Sequence, residues 1–118
     1  MTKKDTGHTF IDYLKRAVNP MLVLALLSEK PMYTYQMIQE LKKRGNSDYT
    51  ASFLYPVLYK LESQGYVKNS GKIVSKDNRV RNYYAITKEG IKYLKKLKSE
   101  YTEMIKSVDM VLNSITIK

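Results

Sequence analysis

The sequence predicts a mainly α fold carrying one small β-hairpin, and three observations predict it. Apolar residues recur at helical spacing through about residue 64. The pattern changes to alternation between Tyr66 and Thr87, and helical spacing then resumes from Lys88 almost to the C-terminus. Gly and Pro punctuate these segments, with no internal repeat and no low-complexity linker between them.

Residues 8–18 place Phe10, Ile11, Leu14 and Val18 at helical spacing. Asn19-Pro20 follows. A proline inside a helix lacks an N–H and crowds the carbonyl four residues back, so the spacing predicts that this helix stops and another begins, with Asn19 as N-cap and Pro20 in its first turn. The run Met21-Leu22-Val23-Leu24-Ala25-Leu26-Leu27 is apolar on every side, which marks a core helix, and Glu29-Lys30-Pro31 ends it. A third helix fits Thr34 to Arg44, with Tyr35, Ile38, Leu41 and the stem of Lys42 on its apolar face and Gly45-Asn46 as its stop. A fourth runs from Ala51 to Gln64 and ends at Gly65. Leu54, Val57, Leu58 and Leu61 form its buried side; Ser52, Pro56, Tyr59 and Ser63 point away.

The hairpin reads as strands over residues 66–74 and 79–87, joined by the polar turn Ser75-Lys76-Asp77-Asn78, with Gly71 marking an irregularity in the first strand. The last helix covers residues 88–114. In heptads, Ile91, Lys98, Ile105 and Leu112 fall at a, and Leu94, Tyr101, Val108 and Ile115 at d; Leu97, Met104 and Val111 at g widen the stripe. Such width suits a helix that packs on its own body and on a second subunit. Ile91, Leu94, Tyr101, Ile105, Val108 and Leu112 are therefore the expected homodimer interface. The division expected is 1–87 for an N-terminal helix with a DNA-binding unit and 88–118 for dimerisation.

Composition narrows the function. The 118 residues form one domain, 43% hydrophobic and 27% charged. The longest apolar run falls far short of the roughly 18 residues of a membrane span, and the N-terminus lacks an apolar signal core, so a cytoplasmic, membrane-free protein is expected. Cysteine is absent, which removes disulfides and thiolate metal sites. The single histidine, His8, reads as a bystander, and no nucleophile–base set, metal-ligand cluster or phosphate-binding glycine loop is present. Neither catalysis nor a cofactor is expected. The net charge is +10, from 21 basic and 11 acidic residues, and it divides +3, +4 and +3 over residues 1–49, 50–84 and 85–118. A surface of that sign attracts polyanions, nucleic acid first.

Two short helices joined by a polar turn and followed at once by a basic hairpin have the layout of a winged helix-turn-helix. The outward face of residues 51–64 is small, neutral and aromatic, and it fits a major groove about 12 Å wide. There Ser52 and Tyr59 can hydrogen-bond base edges or phosphates. The hairpin gathers Lys68, Lys72, Lys76, Arg79 and Arg81 against Asp77 alone, and Arg79 and Arg81 share a strand face. Tyr33, beside a helix N-terminus, is a further phosphate anchor, whereas Tyr35 falls on the apolar side. The residues by themselves leave alternatives open: a solvated amphipathic helix with a charged edge hairpin, a winged-helix protein-interaction module, or a nonspecific architectural DNA-binding protein.

Three motifs carry a resemblance to a known family. Lys30-Pro31-Met32-Tyr33-Thr34-Tyr35-Gln36-Met37-Ile38 resembles the entry to the first helix of the PadR helix-turn-helix. Residues 52–67, Ser-Phe-Leu-Tyr-Pro-Val-Leu-Tyr-Lys-Leu-Glu-Ser-Gln-Gly-Tyr-Val, are similar to that family's recognition-helix signature, and Arg81-Asn82-Tyr83-Tyr84-Ala85-Ile86-Thr87-Lys88-Glu89-Gly90 resembles its wing strand. The chain is similar to the short class with a single terminal helix. The resemblance implies a dimeric transcriptional regulator, usually a repressor released by a small molecule or another signal. It places Tyr33, Ser52, Tyr55, Lys60, Arg79 and Arg81 near double-stranded promoter DNA, with Lys76 at the wing tip. Thr34 stands where the family usually has Gly, and Lys76-Asp77-Asn78 replaces a turn richer in Gly and Arg. Some PadR-like proteins of the short class, which this chain resembles, bind planar compounds between their subunits. With no Trp in this chain, the expected site for a small aromatic effector is Phe10, Tyr13 and Leu14 with Leu97, Tyr101 and Met104.

Overall fold

The computed structural model describes residues 8–118. The N-terminal segment read as lacking a signal core lies outside them. Six elements follow one another: α1 (Phe10–Leu27), α2 (Thr34–Gly45), α3 (Ala51–Ser63), β1 (Val67–Val74), β2 (Val80–Ile86) and α4 (Lys88–Asn113). This is the expected mainly helical winged helix-turn-helix with a long terminal helix.

Two expected N-terminal helices are one. Helix α1 starts at a capping box, in which Thr9 and Asp12 satisfy each other's backbone N–H, and it runs through Pro20 without ending. Pro20 has no N–H to give the Arg16 carbonyl, so one helical hydrogen bond is forgone at that point. Packing outweighs the loss, because the same helix supplies Val23, Leu24, Leu26 and Leu27 to the core. Asn19 is not an N-cap. It is 1% exposed inside the helix, and neither its side-chain oxygen nor its nitrogen has a hydrogen-bond partner.

Helix α2 buries Thr34, Met37 and Leu41. That stripe is rotated from the expected one, so Tyr35 is not a core residue: it is 53% exposed, and Met37 holds the central position. Asn46, in the left-handed conformation at φ 50°, closes the helix by donating to the carbonyls of Leu41 and Lys42. The guanidinium of Arg44 grips both oxygens of Glu29 at 2.7 and 3.0 Å and reaches Glu40 at 2.8 Å, tying the α1–α2 loop to the end of α2. Helix α3, capped by Thr50 Oγ accepting from the Phe53 N–H at 3.2 Å, buries Leu54, Leu58 and Leu61 on the same core.

The hairpin is antiparallel, in register from Val67 opposite Ile86 to Val74 opposite Val80, with a bulge between Asn69 and Gly71. Gly71 adopts φ 129°, open to glycine and strained for other residues, and its N–H bonds Asn69 Oδ1 at 3.0 Å. A third short edge was not expected. Met32 and Tyr84 exchange both backbone hydrogen bonds, at 3.1 and 2.9 Å, which pins the α1–α2 loop beside β2. Thr87 ends the hairpin and caps α4: its hydroxyl donates to the Gly65 carbonyl at 2.7 Å and accepts the Gly90 N–H at 3.0 Å. The first turns of α4 return to the body, where Tyr93 stacks on Tyr66 at 4.2 Å and Leu94 and Leu97 lie on the core. From Lys98 onward every residue of α4 is exposed.

Candidate nucleic-acid interface

Three pieces of backbone enclose one cleft of about 570 Å³: the start of α2 with Tyr33, Thr34 and Tyr35, the face of α3 at Ala51 and Tyr55, and the wing from Asp77 to Asn82. Local folding places each piece. Tyr33 is held at the head of α2 by its N–H donating to Gln36 Oε1 at 3.1 Å, and the Met32 bridge to Tyr84 brings β2 alongside. The Tyr33 ring meets the edge of Tyr83 at 5.3 Å, and the Arg81 guanidinium lies 4.8 Å from the centre of the same ring.

The wing turn is built on Asp77. Ser75 Oγ donates to its carboxylate, the Arg79 N–H donates to it at 3.4 Å, and Asn78 at φ 63° completes the bend. Arg79 and Arg81 each place a guanidinium nitrogen 3.5 Å from the same carboxylate oxygen. The hydrogen bond from Ser75 is the largest influence on Asp77 and lowers its pKa below the ordinary carboxylate value; desolvation opposes it, and the Arg79 N–H and the charges of Arg81 and Arg79 add to the lowering. The two arginines differ in freedom. The Arg79 side chain is 73% exposed, whereas that of Arg81 is 23% exposed and its Nε is buried without a partner.

On α3, Tyr55 and Tyr59 stack at 5.8 Å and are both exposed, forming an aromatic ridge beside the cleft. Sequence spacing placed Ser52 and Pro56 on the same outward side as Tyr59. In the structure Ser52, Pro56 and Tyr59 are all exposed, as is Tyr55; Ser52 and Pro56 also border a cleft toward α1, with Arg16 and Val57. Lys60 lies on that α1 side too, beside Arg16 and Pro20, and Lys76 sits exposed in the wing turn. Tyr33, Tyr55, Arg79 and Arg81 are therefore brought together; Ser52 and Lys60 flank them. Tyr35, which the sequence assigned to the apolar face, and Thr34, noted there only as standing where the family usually has Gly, line the same cleft. Their signal was position alone, at the first two residues of a helix N-terminus. Among the described residues no group of His, Cys, Asp and Glu is placed to hold a metal ion, and no helix is long and apolar enough to cross a membrane.

Known proteins share this architecture. The sequence profile of the Transcriptional regulator PadR-like family matches residues 23–96. An uncharacterized protein of Lysinibacillus sphaericus is 31% identical over 96 residues, covering 80% of this chain and 87% of that protein. Among solved structures, a PadR family transcriptional regulator from Eggerthella lenta superposes with a TM-score of 0.77 at 28% identity, over 89% of this chain and 90% of that one. A transcriptional regulator from Clostridium thermocellum gives 0.73 at 27% identity, over 83% and 96%. Proteins of this kind are DNA-binding regulators of transcription rather than enzymes. With its helix pair, basic wing and 23–96 match, the chain belongs to the PadR-like family of transcriptional regulators.

Proposed function

We propose that the protein is a homodimeric, sequence-specific repressor that reads promoter DNA with α3 and grips the flanking backbone with its wing. The observation that carries this reading is the shared cleft. The α2 N-terminus, the Tyr55 side of α3 and the two wing arginines face the same space, so one duplex can meet all three. Tyr55 and Tyr59 offer hydroxyls and ring faces to base edges, with Ser52 and Lys60 at the margin. Tyr33, Lys76, Arg79 and Arg81 supply phosphate contacts.

Dimerisation rests on α4. Beyond Lys98 its apolar side is bare in the protomer: Tyr101, Met104, Ile105, Val108, Val111 and Leu112 are all at least 41% exposed. A stripe of that length is a helix–helix seam. Residues 88–118 then serve mainly assembly, while Leu94 and Leu97 anchor the helix to its own body. Ile91, 40% exposed, begins the seam. Phe10, Tyr13 and Leu14 of α1 are also exposed and apolar, and with Leu97, Tyr101 and Met104 they would line a site between subunits for a planar apolar effector that releases the DNA. The protein works where chromosomal DNA is, in the cytoplasm.

The test is affinity for the gene's own upstream DNA against random duplex. Preference of tenfold or more for the former, on the order of 1.4 kcal/mol, supports a specific regulator. Equal affinity points to architectural binding, and no affinity to a protein-interaction module.

A further inference from the structure

We propose that Asp77 is an intramolecular stand-in for a DNA phosphate: in the unbound protein its carboxylate bridges Arg79 and Arg81, and duplex DNA engages the wing by exchanging a phosphate for it. Asp77 thereby sets how tightly the protein holds any duplex. This rests on the reading of the wing as a phosphate-contacting element.

The two oxygens of Asp77 have separate tasks. Oδ1 accepts from Ser75 Oγ and from the Arg79 N–H, which shapes the turn. Oδ2 lies 3.5 Å from Arg79 Nε and 3.5 Å from an Arg81 terminal nitrogen, between the two cations expected to grip DNA. Asp77 also lines the cleft shared by Tyr33, Thr34 and Tyr55. Carboxylate and phosphate oxygens present the same charge and the same acceptor geometry to a guanidinium, so they compete for one place. Asp77 is the only acid between Tyr66 and Thr87, among five cations. Asp77 is 52% and Arg79 73% exposed, so their contact is weak enough for a phosphate array to displace, while Arg81, 23% exposed, meets the same carboxylate oxygen. Arg81, steadied on the Tyr33 ring, stays in place while its partner changes.

Exchange has a signature in salt. An arginine already neutralised by Asp77 releases fewer counterions on meeting DNA, so the log–log salt slope is shallower by up to about 0.9 for the masked charge. Asp77→Asn keeps an oxygen for Ser75 and the Arg79 N–H but puts an uncharged amide nitrogen where Oδ2 stood, so the turn is retained and the brake is removed.

The experiment is a fluorescence-anisotropy titration of the full chain, on promoter duplex and on random duplex, across a range of salt. Wild type, D77N, Arg79→Ala with Arg81→Ala, and the triple variant are compared, each checked by circular dichroism for native helix content. D77N is expected to bind both duplexes about threefold to tenfold tighter at low salt, with a steeper slope. In the background lacking both arginines, D77N is expected to gain nothing. Weaker or unchanged binding by D77N overturns the proposal, as does an equal gain without the arginines, because the effect is then only one unit of net charge. If removing the arginines leaves affinity and slope at wild-type values, the wing reading itself fails, and that outcome is read from a variant in which Asp77 is intact.

Discussion

The Arg81 guanidinium lies 4.8 Å from the centre of the Tyr33 ring, and this contact joins the wing to the head of α2. Arg79, two residues earlier, has no such platform and is largely exposed. The pair therefore offers one prepositioned cation and one mobile cation to the same backbone. Arg81→Ala should weaken promoter binding more than Arg79→Ala, although each removes one charge and each should flatten the log–log salt slope by roughly 0.9. Tyr33→Leu should weaken binding with the slope unchanged, since no charge is removed and only the phenol contact and the placement of Arg81 are lost. An unchanged slope in a folded Arg79→Ala, Arg81→Ala protein would falsify the assignment of these residues to phosphate.

Gly90 fixes how α4 meets the body. A Cβ there would stand 2.1 Å from the Tyr66 carbonyl oxygen and 2.7 Å from Ile86 Cγ1. The first clash is with backbone that also accepts the Thr87 N–H, so it cannot swing aside. Gly90→Ala is expected to destabilise the fold by about 1–3 kcal/mol through overpacking, despite alanine's better helix propensity. Chemical denaturation should show a lower midpoint with an unchanged slope; an equal or higher midpoint overturns the close approach.

Much of this was legible because periodicity and turn chemistry agree locally. Alternation and the Ser75–Asn78 turn gave the wing, and the return of helical spacing at Lys88 gave the start of α4. What was not legible depended on tertiary contacts. Pro20 looked like a boundary because backbone chemistry alone disfavours it mid-helix, whereas α1 continues through it to deliver Val23, Leu24, Leu26 and Leu27 to the core. Tyr35 looked internal because aromatic character is no guide to which side of a first helical turn faces the core. The Met32–Tyr84 bridge joins residues 52 positions apart, and no local pattern announces it. The cleft followed from all three, so Thr34 and Tyr35 entered it only with the fold in hand.

Asn19 is the one fully buried polar side chain in α1, and both its polar atoms lack partners. Leucine has nearly the same size and no hydrogen-bonding need. Asn19→Leu is expected to stabilise the protein by about 1–3 kcal/mol, the usual cost of a buried unsatisfied polar group. Thermal denaturation is the measurement. A lower melting temperature would mean that the amide has a role that the leucine cannot fill.

Glu29 titrates below its ordinary value of 4.5, chiefly because Arg44 hydrogen-bonds its carboxylate; the charges of Arg44 and Lys30 help, and desolvation opposes. A folded-state pKa below the unfolded one means that the pair stabilises the protein above the ordinary value. That contribution is lost as the pH falls through the folded pKa. Melting temperature should therefore drop on acidification below about pH 4.5, and less steeply in Glu29→Gln. Parallel curves for the two proteins would remove the pair from the acid response.

Ile105 tests the assembly most directly. It is 41% exposed in the protomer, in the half of α4 whose residues are all exposed. From Lys98 to Asn113 this half extends about 24 Å at 1.5 Å per residue, with Tyr101, Ile105, Val108 and Leu112 along one side. A glutamate at position 105 costs the isolated protomer almost nothing, because water reaches it there. In a helix–helix seam the same carboxylate loses its hydration without a partner, a cost of several kcal/mol. Ile105→Glu should therefore leave helix content near wild type while light scattering reports a monomer. DNA affinity should fall with it, since two linked half-sites become two separate weak ones. Raising the protein concentration should restore part of the binding, which a damaged recognition helix would not allow. A variant that stays dimeric at wild-type stability would move the interface away from α4 and onto the exposed face of α1 at Phe10, Tyr13 and Leu14.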